Sequence, residues 1–379
     1  MNILIPLIIL CSAQEPPQDL AIVGGRIEYP DGRVIERGTI LVHDGVIQSV
    51  GTELVVPSIY KTLDANGCTV LAGFIDSYSS RGMTMPTQVN EAIPEKPAQI
   101  YPEMDRTNRK GIRPEISAAF QGQLSDLIAN DYRKSGFVSA MFIPDAGILG
   151  GTGSLIDFGN GPWQYRVLQP NSGVAFGYGD SILDQKVPVY PSSLLGAIAL
   201  FRQTMIDAAE VHHFDPGLDS LKPVLSKQIP LIMTVRSRAE AQRAHALEHE
   251  FNFRPIFLIK GPVEPEDIQG ADVIVDLQAG ADEMKKLDAE NIHFGVCSNP
   301  GTPIEFFLTD LRRYVREGLS RTSALKALTS EPARIFRTRD KNSMLPGEPA
   351  NFTILTGEFE SETTKLKALI IRGTQVEAK

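Results

Sequence analysis

A chain of 379 residues that is 42% hydrophobic and 22% charged carries too much apolar surface to stay disordered, and it is long enough for one large domain and a smaller one. Its formal net charge of -9, without any Lys/Arg run, excludes a surface built for phosphate, so nucleic acid is not an expected partner.

The first residues, Met1-Asn-Ile-Leu-Ile-Pro-Leu-Ile-Ile-Leu-Cys-Ser-Ala-Gln14, are an apolar run followed by small residues and a polar, Pro-containing stretch. That order predicts a secretory signal peptide over residues 1–14 and export to a periplasmic or extracellular compartment. The run is shorter than the roughly 20 apolar residues needed to cross a bilayer. No Lys or Arg precedes it, which departs from the usual signal. The alternative is a lipoprotein anchored through Cys11, although Ile-Ile-Leu is a poor version of the small-residue box expected before a lipidated cysteine. Beyond Cys11 only Cys68 and Cys297 remain, and two cysteines make no disulfide framework. They border different predicted strands, which puts them beyond the ~7 Å bridging limit, so both read as small buried hydrophobes.

From Leu20 to about Val70 short alternating runs, Ala21-Ile-Val, Gly38-Thr-Ile-Leu-Val and Gly45-Val-Ile-Gln-Ser-Val, are separated by Asp31-Gly32 and Asp44-Gly45. These are hairpin signals of a small antiparallel sheet. From about Leu71 to Phe336 apolar strands alternate with amphipathic helices, the rhythm of a parallel sheet or barrel. Strands are expected at 69–77, 137–143, 154–158, 174–178, 231–235, 256–260, 273–277 and 294–298, and eight of them in this length fit a (β/α)8 TIM barrel. Helices are expected at 193–212, 238–251, 282–291, 303–317 and 322–336. The stretch 81–113, rich in Pro, Gln and Arg, has weak periodicity and reads as a loop over one end of the barrel. After Phe336 strand patterns return in Ala350-Asn-Phe-Thr-Ile-Leu and Lys365-Leu-Lys-Ala-Leu-Ile-Ile-Arg.

Three motifs carry a resemblance. Gly73-Phe-Ile-Asp76 resembles the strand that opens the barrel of the amidohydrolase superfamily. Ser323-Ala-Leu-Lys-Ala-Leu-Thr-Ser-Glu-Pro-Ala-Arg-Ile335 is similar to the helix that follows the barrel in its imidazolonepropionase-like members. Met344-Leu-Pro-Gly-Glu-Pro-Ala-Asn-Phe-Thr-Ile354 is similar to the turn that leads back to their small domain. The resemblance spans nearly the whole chain and implies a composite β-sandwich domain from residues 19–70 plus 340–379, beside a TIM barrel at 71–336. It also implies a zinc or other divalent-metal site at the C-terminal ends of the strands, oligomerisation, and hydrolysis of C–N bonds.

The sequence departs from that pattern wherever a ligand is expected. His-x-His becomes Tyr78-Ser79-Ser80; the fourth strand offers Gly177, the fifth Thr234, the sixth Lys260 and the eighth Asn299. A phenol and hydroxyls are protonated, weak ligands at neutral pH. Asn299 cannot take a proton from water, and Lys260 would repel a divalent cation. These positions with Asp76 describe a degenerate pocket without a bound metal or other cofactor.

Other constellations read as structural. His245-Ala-Leu-Glu-His249 places two imidazoles on one helix face but lacks the Glu of a metalloprotease helix, so a solvated face is expected; His212-His213 ends a helix, where imidazolium complements the dipole. Leu149-Gly-Gly-Thr-Gly-Ser154 has no Gly-Lys-Ser/Thr ending and reads as a tight barrel loop. Asp76, Asp145 and Asp180 stand near strand ends as candidate acids and bases, whereas Ser79, Ser80 and Ser298 have no adjacent His to activate them. The expectation is a metal-free pseudoenzyme that binds a small molecule, or a homo-oligomeric or hetero-oligomeric partner of an active paralogue. The alternative is an active hydrolase of cyclic or linear amides.

Overall fold

The computed structural model describes residues 19–83, 111–120, 124–178, 191, 193–210, 213–298 and 300–377. The expected signal segment with Cys11, most of the loop 81–113, and Asp180, His212 and Asn299 lie outside the described residues.

The chain begins with β1 (Leu20–Glu28), β2 (Val34–His43), β3 (Val46–Gly51), β4 (Lys61–Asp64) and β5 (Thr69–Ala72). Asp44 and Gly45 both take positive φ, 50° and 76°, the conformation that a two-residue hairpin turn demands and that Asp-Gly supplies at little cost. The barrel strands follow: β6 (Phe74–Ser79), β7 (Phe137–Phe142), β8 (Leu149–Asp157), β9 (Val167–Phe176), β10 (Leu231–Val235), β11 (Pro255–Ile259), β12 (Asp272–Asp276) and β13 (Phe294–Cys297). The chain ends with β14 (Phe352–Leu355), β15 (Leu366–Ile371) and β16 (Thr374–Val376).

Two sheets result. In the smaller unit the order is β16-β15-β14-β5-β1-β2-β3, with β4 also beside β1, so the two ends of the chain share one sheet. It is mixed rather than antiparallel as expected, because β4 and β5 both run parallel to β1. Ile22, Ile40, Val70, Phe352, Ile354 and Ile370 fill its core. In the barrel β6 to β13 stand side by side in chain order, around a second core that includes Phe74, Phe137, Phe176 and Phe257. The architecture is therefore an eight-stranded, nearly closed TIM-like barrel with a composite β sheet beside it.

The predicted strand 69–77 is two strands serving two sheets, divided at Gly73. A β-carbon there would lie 2.5 Å from both methyls of Val138. Gly73 is pinned as well, its N–H donating to Asn351 O at 3.0 Å and its carbonyl accepting from Asn342 Nδ2 at 2.8 Å.

A second correction concerns the third barrel strand. It is longer than 154–158 and runs antiparallel to both β7 and β9, and the Gly-rich run expected as a loop is its first half. Close packing explains the glycines: a β-carbon on Gly151 would lie 2.1 Å from Ile116 O, and one on Gly153 2.4 Å from Ile143 Cγ1. The segment 111–118 runs along this half of the strand, with Arg113 N donating to Leu149 O at 2.8 Å and Thr152 N to Ile116 O at 2.8 Å.

Among the helices Arg238–Phe251 has the expected bounds. The region 322–336 is two helices, Arg321–Leu328 and Ser330–Ile335, since Pro332 lacks an N–H and crowds the carbonyl of residue 328. The helix Asp126–Lys134, capped by Ser125, was not expected from the pattern. Cys68 and Cys297 are free and buried.

Candidate functional site

Seven of the eight barrel strands end on one face, and the site is built from those ends. Asp76, in the middle of β6, is fully buried and points at the neighbouring end of β13. Its carboxylate accepts from the Ser298 N–H at 3.0 Å, from the Ser298 hydroxyl, from the Tyr132 hydroxyl at 2.8 Å and from the Tyr78 N–H at 3.3 Å. Burial pushes its pKa up to about 6, against the pull of the Ser298 and Tyr132 hydrogen bonds, which favour the charged form. The Tyr132 hydroxyl also lies 2.8 Å from Ser79 Oγ. Ser79 and Ser298 are thus spent in a buried network, and neither is a free nucleophile.

Two residues along β6, Tyr78 turns to a second group. Its hydroxyl donates to Asp145 Oδ2 at 3.1 Å, and the Lys260 ammonium stands 5.9 Å from the centroid of its ring, within the range of a cation–π contact. Burial, then the adjacent Asp145, hold the phenol well above its ordinary pKa, so it stays a neutral donor. Cys297 is buried beside them, and burial followed by Asp276 and Asp76 pushes its thiol up; it is not a reactive cysteine.

Of the other expected positions, Asn299 lies outside the described residues and three can be placed. Thr234 is a buried side chain of β10, in register with Leu258. Gly177 presents no side chain; a β-carbon there would meet only Gly147 O, at 3.5 Å. Ser80 lines a separate cleft of about 600 Å³ with Arg81, Tyr132, Lys134, Pro300 and Glu305. A small cavity of about 70 Å³ lies on the other side of Ser298, against Gln278, Thr302 and Tyr314. On the helix Arg238–Phe251 His249 is exposed, as expected, while His245 is half-buried, its ring packed edge-to-face with Phe257 and its Nδ1 2.9 Å from Glu248. Among the described residues no three His, Cys, Asp or Glu side chains come together as a metal site would require.

Tyr132 is the site residue that sequence reading missed. It reaches the network from the helix Asp126–Lys134, stacked on Phe158 with centroids 4.7 Å apart. Its signal was the N-cap Ser125 followed by Asp126, with Arg133 and Lys134 in the last turn.

No family model and no curated protein matches this sequence. Solved structures do match in fold. An amidohydrolase from Thermotoga maritima superposes with a TM-score of 0.77 at 19% identity, over 94% of this chain and 99% of that one. A prolidase complexed with N-methylphosphonate-L-proline gives 0.60 at 13%, over 95% and 100%. Molinate hydrolase gives 0.55 at 14%, over 96% of each chain. At such identities the likeness is one of fold: the chain has the architecture of the amidohydrolases.

Proposed function

We propose that this chain is a divergent amidohydrolase-superfamily protein that works without a metal, as a ligand-binding protein or partner subunit rather than as a hydrolase. The observation that supports this most is the pairing of Lys260 with Tyr78. In the metal-dependent pattern both positions serve a cation. Here one carries a cation of its own and the other a neutral phenol whose hydrogen is committed to Asp145.

The donor set does not fit a divalent ion. Tyr78 cannot ionise near neutral pH; Thr234 and Ser80 offer only alcohol oxygens; Gly177 offers nothing. At about 4 Å an ammonium repels a unit positive charge by roughly 4 kcal/mol at an effective dielectric near 20, and a divalent ion by more. No metal-bound water can be activated through such a donor set.

Metal content measured by inductively coupled plasma mass spectrometry, on protein expressed with Zn²⁺, Mn²⁺ and Fe²⁺ supplied, tests the proposal. Near-zero metal per chain is the expected result. A stoichiometric metal would overturn it and favour hydrolysis of C–N bonds, the activity that the likeness to a prolidase and an amidohydrolase suggests.

A further inference from the structure

Three arginines from distant parts of the sequence meet where β8 ends. Arg133, on the helix Asp126–Lys134, donates Nε to Phe158 O at 2.6 Å and Nη2 to Gly159 O at 3.2 Å. Arg372, in the turn between β15 and β16, puts Nη2 2.6 Å from Asp157 Oδ2 and donates Nη1 to Tyr165 O at 3.0 Å. Arg166 ends the short helix Trp163–Arg166 and donates Nε to Asp157 O at 3.0 Å, its guanidinium 5.9 Å from the centroid of the Trp163 ring.

Arg166 is the buried member, 7% exposed, while Arg133 and Arg372 are half-buried and reach solvent. The Arg166 Nη2 has no hydrogen-bond partner among the described residues. A buried charged donor left unmade is costly, so this nitrogen calls for an acceptor that the chain does not supply. Two carboxylates act on the cluster, Asp157 within it and Asp126 on the helix that carries Arg133. Against three guanidiniums they leave one net positive charge. Beside the cluster runs Gly159-Asn160-Gly161, with Asn160 and Gly161 exposed. A β-carbon on Gly159 would stand 3.5 Å from Arg372 Nη2, and its absence leaves that guanidinium open.

We infer that this cluster binds one small oxyanion of the phosphate type, free or as a monoester, independently of what occupies the barrel mouth. Arg166 supplies the buried donor, and Arg133 and Arg372 supply the outer ones. Paired guanidinium N–H groups match the oxygens of such an ion in spacing and charge. Residues 133, 166 and 372 form no run in the sequence, and a single ion held by them is not the extended phosphate surface that composition excludes.

Isothermal titration calorimetry of the full-length chain with inorganic phosphate and with glycerol phosphate, at constant ionic strength set by sodium chloride, tests this. Saturable binding at one site is expected, and the tighter of the two probes tells free ion from ester. Arg166→Met should weaken binding about tenfold or more, whereas Arg202→Met, at an exposed pair with Glu250, should leave it unchanged. Asp157→Asn should tighten binding several-fold, because the internal carboxylate that competes for the guanidiniums is gone; a merely structural cluster would show no such gain. No saturable heat with either probe would overturn the inference. So would equal affinity in wild type and Arg166→Met, equal losses for Arg166→Met and Arg202→Met, or weaker binding by an Asp157→Asn variant whose circular dichroism is native.

Discussion

Ser298 grips Asp76 twice, with its backbone N–H at 3.0 Å and with its hydroxyl, so one carboxylate ties the last barrel strand to the first. No backbone ladder joins β13 to β6 among the described residues. The strands nonetheless approach closely, for a β-carbon on Gly295 would lie 2.5 Å from Ser77 Oγ.

That closure should depend on pH. The Asp76 pKa, about 6 in the fold, is raised above the ordinary value near 4. The folded state therefore holds more protons than the unfolded state between these limits, and stability contributed by Asp76 is present at low pH and lost as pH rises through about 6. Urea denaturation of wild type and Asp76→Asn should show the wild type gaining about 2 kcal/mol relative to the variant on going from pH 7.5 to 4.5. A difference that does not vary with pH would refute the assignment.

Gly295→Ala and Gly73→Ala should each cost about 1–3 kcal/mol by forcing a methyl into Ser77 or Val138. Gly270 is the control: its φ is +83° but nothing lies within 4 Å, so alanine there should cost only about 1 kcal/mol of backbone strain. Equal losses at all three, measured by chemical denaturation, would show that packing is not the cause.

Partial reconstruction of the family's ligand set should fail. With Lys260, Thr234 and Gly177 left in place, Tyr78→His combined with Ser80→His and Asn299→Asp should bind no stoichiometric Zn²⁺ in a calorimetric titration. Tight binding would mean that Lys260 is not a pocket cation.

At the opposite end of the barrel Arg372 Nη2 lies 2.6 Å from Asp157 Oδ2, and Asp157 is 2% exposed. Arg372→Ala should cost roughly 2 kcal/mol or more by leaving that carboxylate without its ion pair. Adding Asp157→Asn should recover part of the loss in the melting temperature. A double variant no more stable than the single one would assign the loss to the bond that Arg372 also makes with Tyr165 O.

Much of this architecture is written in local pattern. Alternation located the barrel strands, the helix Arg238–Phe251 shows its bounds in its periodicity, and Asp44-Gly45 announces its turn. Strand direction is different, because a buried strand reads the same either way and glycine is ambiguous between loop and close contact; the reversed β8 was therefore invisible. At the site, Asp76, Tyr78 and Lys260 could be singled out by their places along the chain. Their partners could not: Tyr132 lies 56 residues from Asp76 in sequence, and its hydroxyl arrives from a helix with a largely polar surface.

The reversal of β8 also bears on how the chain finds its fold. Ordinary parallel strands must await crossover connections before they pair, yet β7, β8 and β9 occupy Phe137 to Phe176 as a continuous antiparallel meander. Contacts so near in sequence cost the least loop-closure entropy in the barrel, which favours pairing of this meander ahead of the parallel strands.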